Sequence, residues 1–348
     1  MTLTKPRMVS KPAVWSPGVV LALVWFCLFT LTAWLPIPLQ AIDAYPENAL
    51  QAPFKTESHW LGTDQLGRDV FWYVVASAKT AWWLTFPPLA GATFLGVLVG
   101  TVSANFAKKP LVLRLLPSLC ALAILLSLYY LGYLYKLGAL QSSGISTSFW
   151  LLTAFLIAII GLFYWGVRAL IPRAVRRGTI QIPLDETIQR IMDFWTTFPK
   201  LLLLLLLSAL SAPSLQGLGF WIMLTYWVLP ARLARAKVLQ TKNEAFYEAA
   251  IALGTTRQTR FKQYLWPAMK SPLITNFCFN ASGLLGIGST LAYLGIGLPA
   301  DVPSWGKMLS LARYSFDSWW LFLWPAILLL LSILSLQALG NYFGKIKQ

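Results

Sequence analysis

Apolar runs recur along the chain near 14–35, 79–105, 111–135, 149–171, 199–213, 218–236, 272–295 and 318–340. Most approach the ~20 residues a helix needs to cross the hydrocarbon core of a bilayer. The pattern therefore predicts an all-α polytopic membrane protein with about eight spans. The run from Phe198 to Ser211 is the shortest and nearly crosses only with the apolar residues that follow it. Just before it, Ile188, Ile191, Met192, Trp195 and Phe198 fall at helical spacing among polar residues, which predicts an interfacial helix leading into span five. Asp185 and Glu186 in its first turn suit the helix dipole. The longest polar stretch, roughly 40 residues between spans one and two, leaves no loop large enough for a soluble catalytic domain.

Composition agrees with this reading. Of 348 residues, 57% are hydrophobic and 11% charged, more apolar surface than a soluble domain of this length can hide. The net charge of +16 is explained by its distribution. With the N-terminus inside, 22 of the 28 Lys and Arg residues face the cytoplasm, and only Lys55, Arg68, Lys79, Lys136, Lys307 and Arg313 lie outside. That is the positive-inside bias of a membrane protein with both termini in the cytoplasm, so nucleic acid is not needed to explain the charge. The first apolar run follows Lys5, Arg7 and Lys11 but lacks a small-residue cleavage site, and is expected to be an uncleaved span.

Catalytic and metal chemistry find little support. Cys27, Cys120 and Cys278 are far apart in apolar stretches, and His59 is the single histidine. There is no phosphate-binding glycine loop, no nucleophile elbow and no acid in the middle of any span, which argues against an enzyme and against a proton-driven carrier. Gly96 and Gly100 in span two, and Gly283, Gly286 and Gly288 in span seven, predict close helix packing.

One polar segment has more order than a connection needs. Glu244–Pro267 reads EAFYEAAIALGTTRQTRFKQYLWP. Phe246, Ala249, Ala250 and Leu253 share a helical face, and Gly254 offers the left-handed conformation common at a helix C-terminus. Thr255 or Thr256 is placed to cap a second helix from Arg257 towards Leu265, with Pro267 before the next span. Seven Lys or Arg residues between Arg232 and Lys262 put this segment in the cytoplasm. Ala249 and Ala250 admit close approach by a soluble partner, and Glu248 is available to a basic group there; the alternative is a basic loop resting on lipid headgroups. Ahead of span two, Gly62, Thr63, Asp64, Gly67, Arg68 and Asp69 lie within WLGTDQLGRDV. Its glycines make turns and its aspartates cap backbone or pair with Arg68, either as a polar plug or binding-protein seat at a pore mouth or as a structural lock on span two.

These segments together resemble the permeases of ABC importers. Glu248-Ala249-Ala250, then Gly254 and Pro267, resembles their coupling loop. Trp60–Val70 resembles the L-G-T-D-x-x-G-R-D-V motif of C-type permeases of dipeptide, oligopeptide and nickel importers. Leu294-Gly295-Ile296-Gly297-Leu298 with Pro303-Ser304-Trp305-Gly306-Lys307-Met308-Leu309 resembles that family's external segment between its last two spans. The resemblance covers roughly 1–105 and 184–348, whereas 106–183 stands where the family has a short Gly-rich turn, and Trp266 stands where it commonly has Leu.

The resemblance implies a type I importer fold of six family spans plus an inserted two-span hairpin. The expected layout is 1–36 for the tail and first span, 37–78 for the external segment, 79–105 for span two, 106–183 for the insertion and 184–348 for the core, with the coupling loop at 241–268. It also implies a bacterial inner-membrane location, a pore shared with a sister permease, two ATPase subunits docked on Glu244–Pro267 and an external solute-binding protein. ATP and Mg would reside in the ATPases, with no cofactor or metal on this chain. The implied cargo is a di- or oligopeptide, with nickel as the competitor, and a channel or scaffold without ATPase is the rival from another class.

Overall fold

The computed structural model describes residues 16–36, 43–55, 59–107, 111–114, 179–315 and 317–345. Contacts divide the chain into Met1–Ala104 with Arg190–Gln348, and a smaller unit, Asn105–Gln189. The larger unit is helical. Helix α1, Pro17–Thr32, opens with proline at its first position, where the absent N–H is not missed. Helix α2, Val70–Phe106, runs 37 residues, or about 55 Å, so it begins well before the span expected at 79.

In the smaller unit the expectation of an all-α chain fails locally. Leu111–Arg114 (β1) and Thr179–Ile182 (β2) pair antiparallel, Leu111 opposite Ile182 and Arg114 opposite Thr179. Thr179-Ile180-Gln181-Ile182 alternates polar and apolar, the period of a strand rather than a helix. The start of span three at 111 is corrected accordingly; the rest of spans three and four, Cys120 and the N-terminal tail lie outside the described residues.

Helices α3, Leu184–Thr197, and α4, Lys200–Ala209, meet at 87°. Pro199 causes the break, since the residue before proline is driven out of the helical region and proline donates no hydrogen bond. At 10 residues α4 rises only about 15 Å, so the fifth apolar run is not a straight crossing. Met192 is buried in α3, but Ile191 and Phe198, expected on the same face, are exposed. The sixth run also divides, into α5, Leu215–Tyr226, and α6, Val228–Lys242. Pro230 has no N–H to offer the Tyr226 carbonyl, and the chain bends there. Two short helices, α7 (Ala245–Ala252) and α8 (Arg257–Arg260), precede α9, Trp266–Tyr293; α10, Trp305–Ala312, and α11, Trp320–Lys345, complete the unit. Among the described residues, two helices (α2 and α11) are long and apolar enough to cross a membrane, or three if the bent α3–α4 pair is one span.

The main core joins α1, α2, α4, α5, α9, α10 and α11 around Leu89, Leu204, Ile222, Leu284, Met308 and Leu321. Gly96 and Gly100 let α2 lie against α6: a Cβ at Gly100 would stand 2.2 Å from the Ala231 carbonyl oxygen. The same expectation fails for α9, where Gly283 has open space beside it and the nearest atoms to Cβ positions at Gly286 and Gly288 are 4.0 and 3.7 Å away.

Candidate functional site

Two polar segments stand out, each built where a helix begins. The first is the turn at 59–69. Gly67 adopts φ +73°, and a Cβ there would overlap the Tyr45 carbonyl oxygen, so only glycine lets the chain at Tyr45 cross. Asp64 is 1% exposed. Its Oδ1 accepts from the backbone N–H groups of Leu66 (2.8 Å) and Arg68 (2.9 Å), closing the turn. Its Oδ2 faces Arg68 Nε at 3.1 Å without hydrogen-bond alignment, so charge rather than a directed bond holds that pair. The Arg68 guanidinium also lies 5.2 Å from the Tyr73 ring centre.

Asp69 does not pair with Arg68. Its Oδ1 accepts from the N–H groups of Phe71 (2.8 Å) and Trp72 (3.2 Å), capping α2, and its Oδ2 is 2.8 Å from His59 Nδ1. The Thr63 carbonyl accepts from Trp320 Nε1 at 3.1 Å, and Gln65 Nε2 donates to the Leu311 carbonyl and Ser315 Oγ. These bonds seat the turn on α10 and α11. His59, Gln65, Tyr73 and Trp320 were not picked out as members of this site by sequence reasoning; only the Asp69–Val70 step, an acceptor before an apolar run, carried a local signal.

The 303–306 segment locks onto the same place. Ser304 caps α10 by accepting from the Lys307 N–H. Trp305 is buried, donates from Nε1 to the Val74 carbonyl at 3.1 Å and lies 5.8 Å from the Phe29 ring. Gly306 brings α10 against α9, where a Cβ would sit 2.0 Å from the Ser289 carbonyl oxygen. Pro303 leads the chain into that cap. Lys307 donates to the carbonyls of Pro299, Ala300 and Val302, tying the preceding turn. Burial lowers its pKa from the ordinary 10.5, opposed by Asp301 and reinforced by Arg68.

The second segment is Glu244–Pro267. Glu244 precedes α7, and the helix ends in a Schellman closure: the Thr255 N–H donates to the Ala250 carbonyl and the Gly254 N–H to that of Ile251, with Gly254 at φ +72°. Thr256 caps α8 by accepting from the Thr259 N–H. The chain does not then break before the next span. A single π turn, Phe261–Leu265, carries α8 into α9 without interruption. Pro267 explains it, because its ring blocks an α-helical bond to the Gln263 carbonyl and a widened turn takes up the mismatch.

The predicted helix face is divided. Tyr247 points into a small core with Ala104, Val238, Leu265 and Met269 and Ala250 is also buried, while Phe246, Glu248, Ala249 and Leu253 are exposed, Leu253 to 83%. Phe246 stacks on Tyr264 with ring centres 5.8 Å apart. The segment is thus a platform whose first helix presents Phe246, Ala249 and Leu253 outward beside two exposed acids, Glu244 and Glu248.

The fold and these two sites define a helical membrane subunit whose ordered polar chemistry sits at helix ends. Residues 179–345 match the family described as the binding-protein-dependent transport system inner membrane component. The chain is 24% identical to the dipeptide transport system permease protein DppC of Alkalihalophilus pseudofirmus over 91% of its own length and 79% of the relative's. It is 30% identical to DppC of Escherichia coli K12 over 44% of this chain and 52% of that one. It is 32% identical to the oligopeptide permease OppC of Bacillus subtilis over 45% and 52%. The matched stretch therefore spans about half the length of the latter two relatives. These matches bear out the resemblance to the permease subunits of peptide ABC transporters, and the relatives named are permeases.

Proposed function

We propose that this chain forms a pore with a sister permease and imports di- or oligopeptides, driven by two cytoplasmic ATPases that dock on Glu244–Pro267, with an external solute-binding protein delivering the cargo. The observation that carries the reading is the platform around α7: it is anchored by Tyr247 and Ala250, it presents Phe246, Glu248, Ala249 and Leu253 outward, and it is continuous with α9 through the π turn. A push on the platform is then a push on one helical rod, Arg257–Tyr293. The peptide cargo is supported by the names of the relatives, and the eight-span count with both termini inside follows the positive-inside bias. The external 61–69 and 303–306 segments serve first as the lock that fixes the start of α2 against α10 and α11.

The test is uptake by the assembled transporter carrying Glu248→Arg with Gly254→Pro. Peptide import is expected to be lost while the chain still inserts in the membrane at normal levels; normal import by this double variant would sink the coupling role.

A further inference from the structure

The break between α3 and α4 carries a cation to the midpoint of α9. Helix α9 has 28 residues, about 42 Å, and Asn280 is at its midpoint. Lys200, the first residue of α4, donates from Nζ to Asn280 Oδ1 at 3.2 Å and stands 4.5 Å from the Tyr226 ring centre. Sequence alone groups Lys200 with the cytoplasmic basic cluster, whereas its ammonium meets the midpoint of α9. Among the described residues no carboxylate lies within ion-pair distance of it. Asp193 of α3 is taken by Arg232 at 2.7 Å.

Three further features favour an anion at this point. Pro199 offers α4 no side-chain cap, so the positive end of that helix coincides with the ammonium. Asn280 Nδ2 donates to Asn276 Oδ1 at 2.9 Å, and Asn276 lines a cavity of about 540 Å³ together with Ser271, Thr275 and Lys237. No acid is among the residues that line it. Lys200 remains exposed in this subunit, and a cation does not rest against acyl chains, so its open side faces a water-filled route or a partner. Asn280 and Tyr226 orient the ammonium without neutralising it.

We propose that Lys200, held by Asn280, is a docking point for a free carboxylate of the solute in transit, here the C-terminus of a short peptide. This rests on the importer reading above and adds the chemistry by which the pore itself recognises cargo.

The assay is uptake of trialanine and of its C-terminal amide by cells expressing the complete transporter, with membrane levels of each variant checked by immunoblot. Lys200→Met is expected to lower the preference for the free acid over the amide about tenfold, the value of one charge-assisted hydrogen bond. Lys200→Arg should keep most of the preference. Asn280→Asp supplies a built-in carboxylate of the same shape, and should abolish the preference even if Lys200→Met inserts poorly. The binding protein is the same throughout, so a changed ratio reports on the pore. An unchanged ratio in Lys200→Met and Asn280→Asp, or an equal loss of both probes, would overturn the carboxylate site while leaving the importer intact. Wild-type uptake of neither probe would instead overturn the peptide reading, and this inference with it.

Discussion

Removing the Asp64 carboxylate tests whether the 59–69 turn is the lock on α2. Asp64→Ala strips two part-buried donors, the N–H groups of Leu66 and Arg68, of their acceptor and removes the charge that faces the Arg68 guanidinium. Each unsatisfied buried donor costs about 1–3 kcal/mol, and breaking a buried ion pair from one side about 3–5 kcal/mol, so a total near 3–5 kcal/mol is expected once shared terms are not counted twice. Asp64→Asn keeps an acceptor at Oδ1 and loses only the charge facing Arg68, so about 1–2 kcal/mol is expected. Tryptophan-fluorescence melting of the purified chain in mild detergent reads the difference, because Trp320 hydrogen-bonds into this turn at the Thr63 carbonyl. By the scaling of soluble domains the alanine variant should melt on the order of 10 °C lower, with asparagine between it and wild type. A cycle with Arg68→Ala isolates the pair, and coupling of about 1–3 kcal/mol is expected for residues in one network. If Asp64→Ala melts within about 2 °C of wild type, or matches Asp64→Asn, the carboxylate is not holding the turn and the lock reading is wrong.

The two left-handed glycines should separate by surroundings. Gly67→Ala meets the Tyr45 carbonyl and should destabilise by several kcal/mol, whereas Gly254→Ala meets nothing within 4 Å and should cost only about 1 kcal/mol of backbone strain, both read by the same melts. Lys307 gives a pH signature: burial lowers its pKa in the folded chain, so between that lowered value and 10.5 the unfolded chain binds more protons and folding stability rises with pH. The melting temperature of wild type relative to Lys307→Met is therefore expected to climb as pH rises towards 10.5; a difference independent of pH would remove burial as the cause.

Local patterns in the sequence reach as far as the physics that acts over one or two turns. The cap at Asp69, the Schellman closure at Gly254, the Thr256 cap and the Gly96/Gly100 approach all follow from residues three to five apart, and all are present. What the pattern misses depends on which distant segments meet. Nothing near Thr63 announces Trp320, and nothing near Lys200 announces Asn280, because each bond joins distant segments whose meeting is set by the whole bundle. The apolar runs mislead for a related reason. Hydropathy measures whether a stretch tolerates lipid, not whether its backbone continues, so Pro230 divides a run that reads as a single span, and Pro199 turns the fifth run 87° from the helix before it. Pro267 shows the converse: its neighbours are packed by Leu265 and Met269 into the core that holds the platform, so the helix widens by one π turn and carries on. Whether a proline ends a helix or only loosens it is decided by what its flanking residues bury. At Pro199 the flanking residue Lys200 instead finds Asn280, and the break is what delivers its charge to the middle of α9.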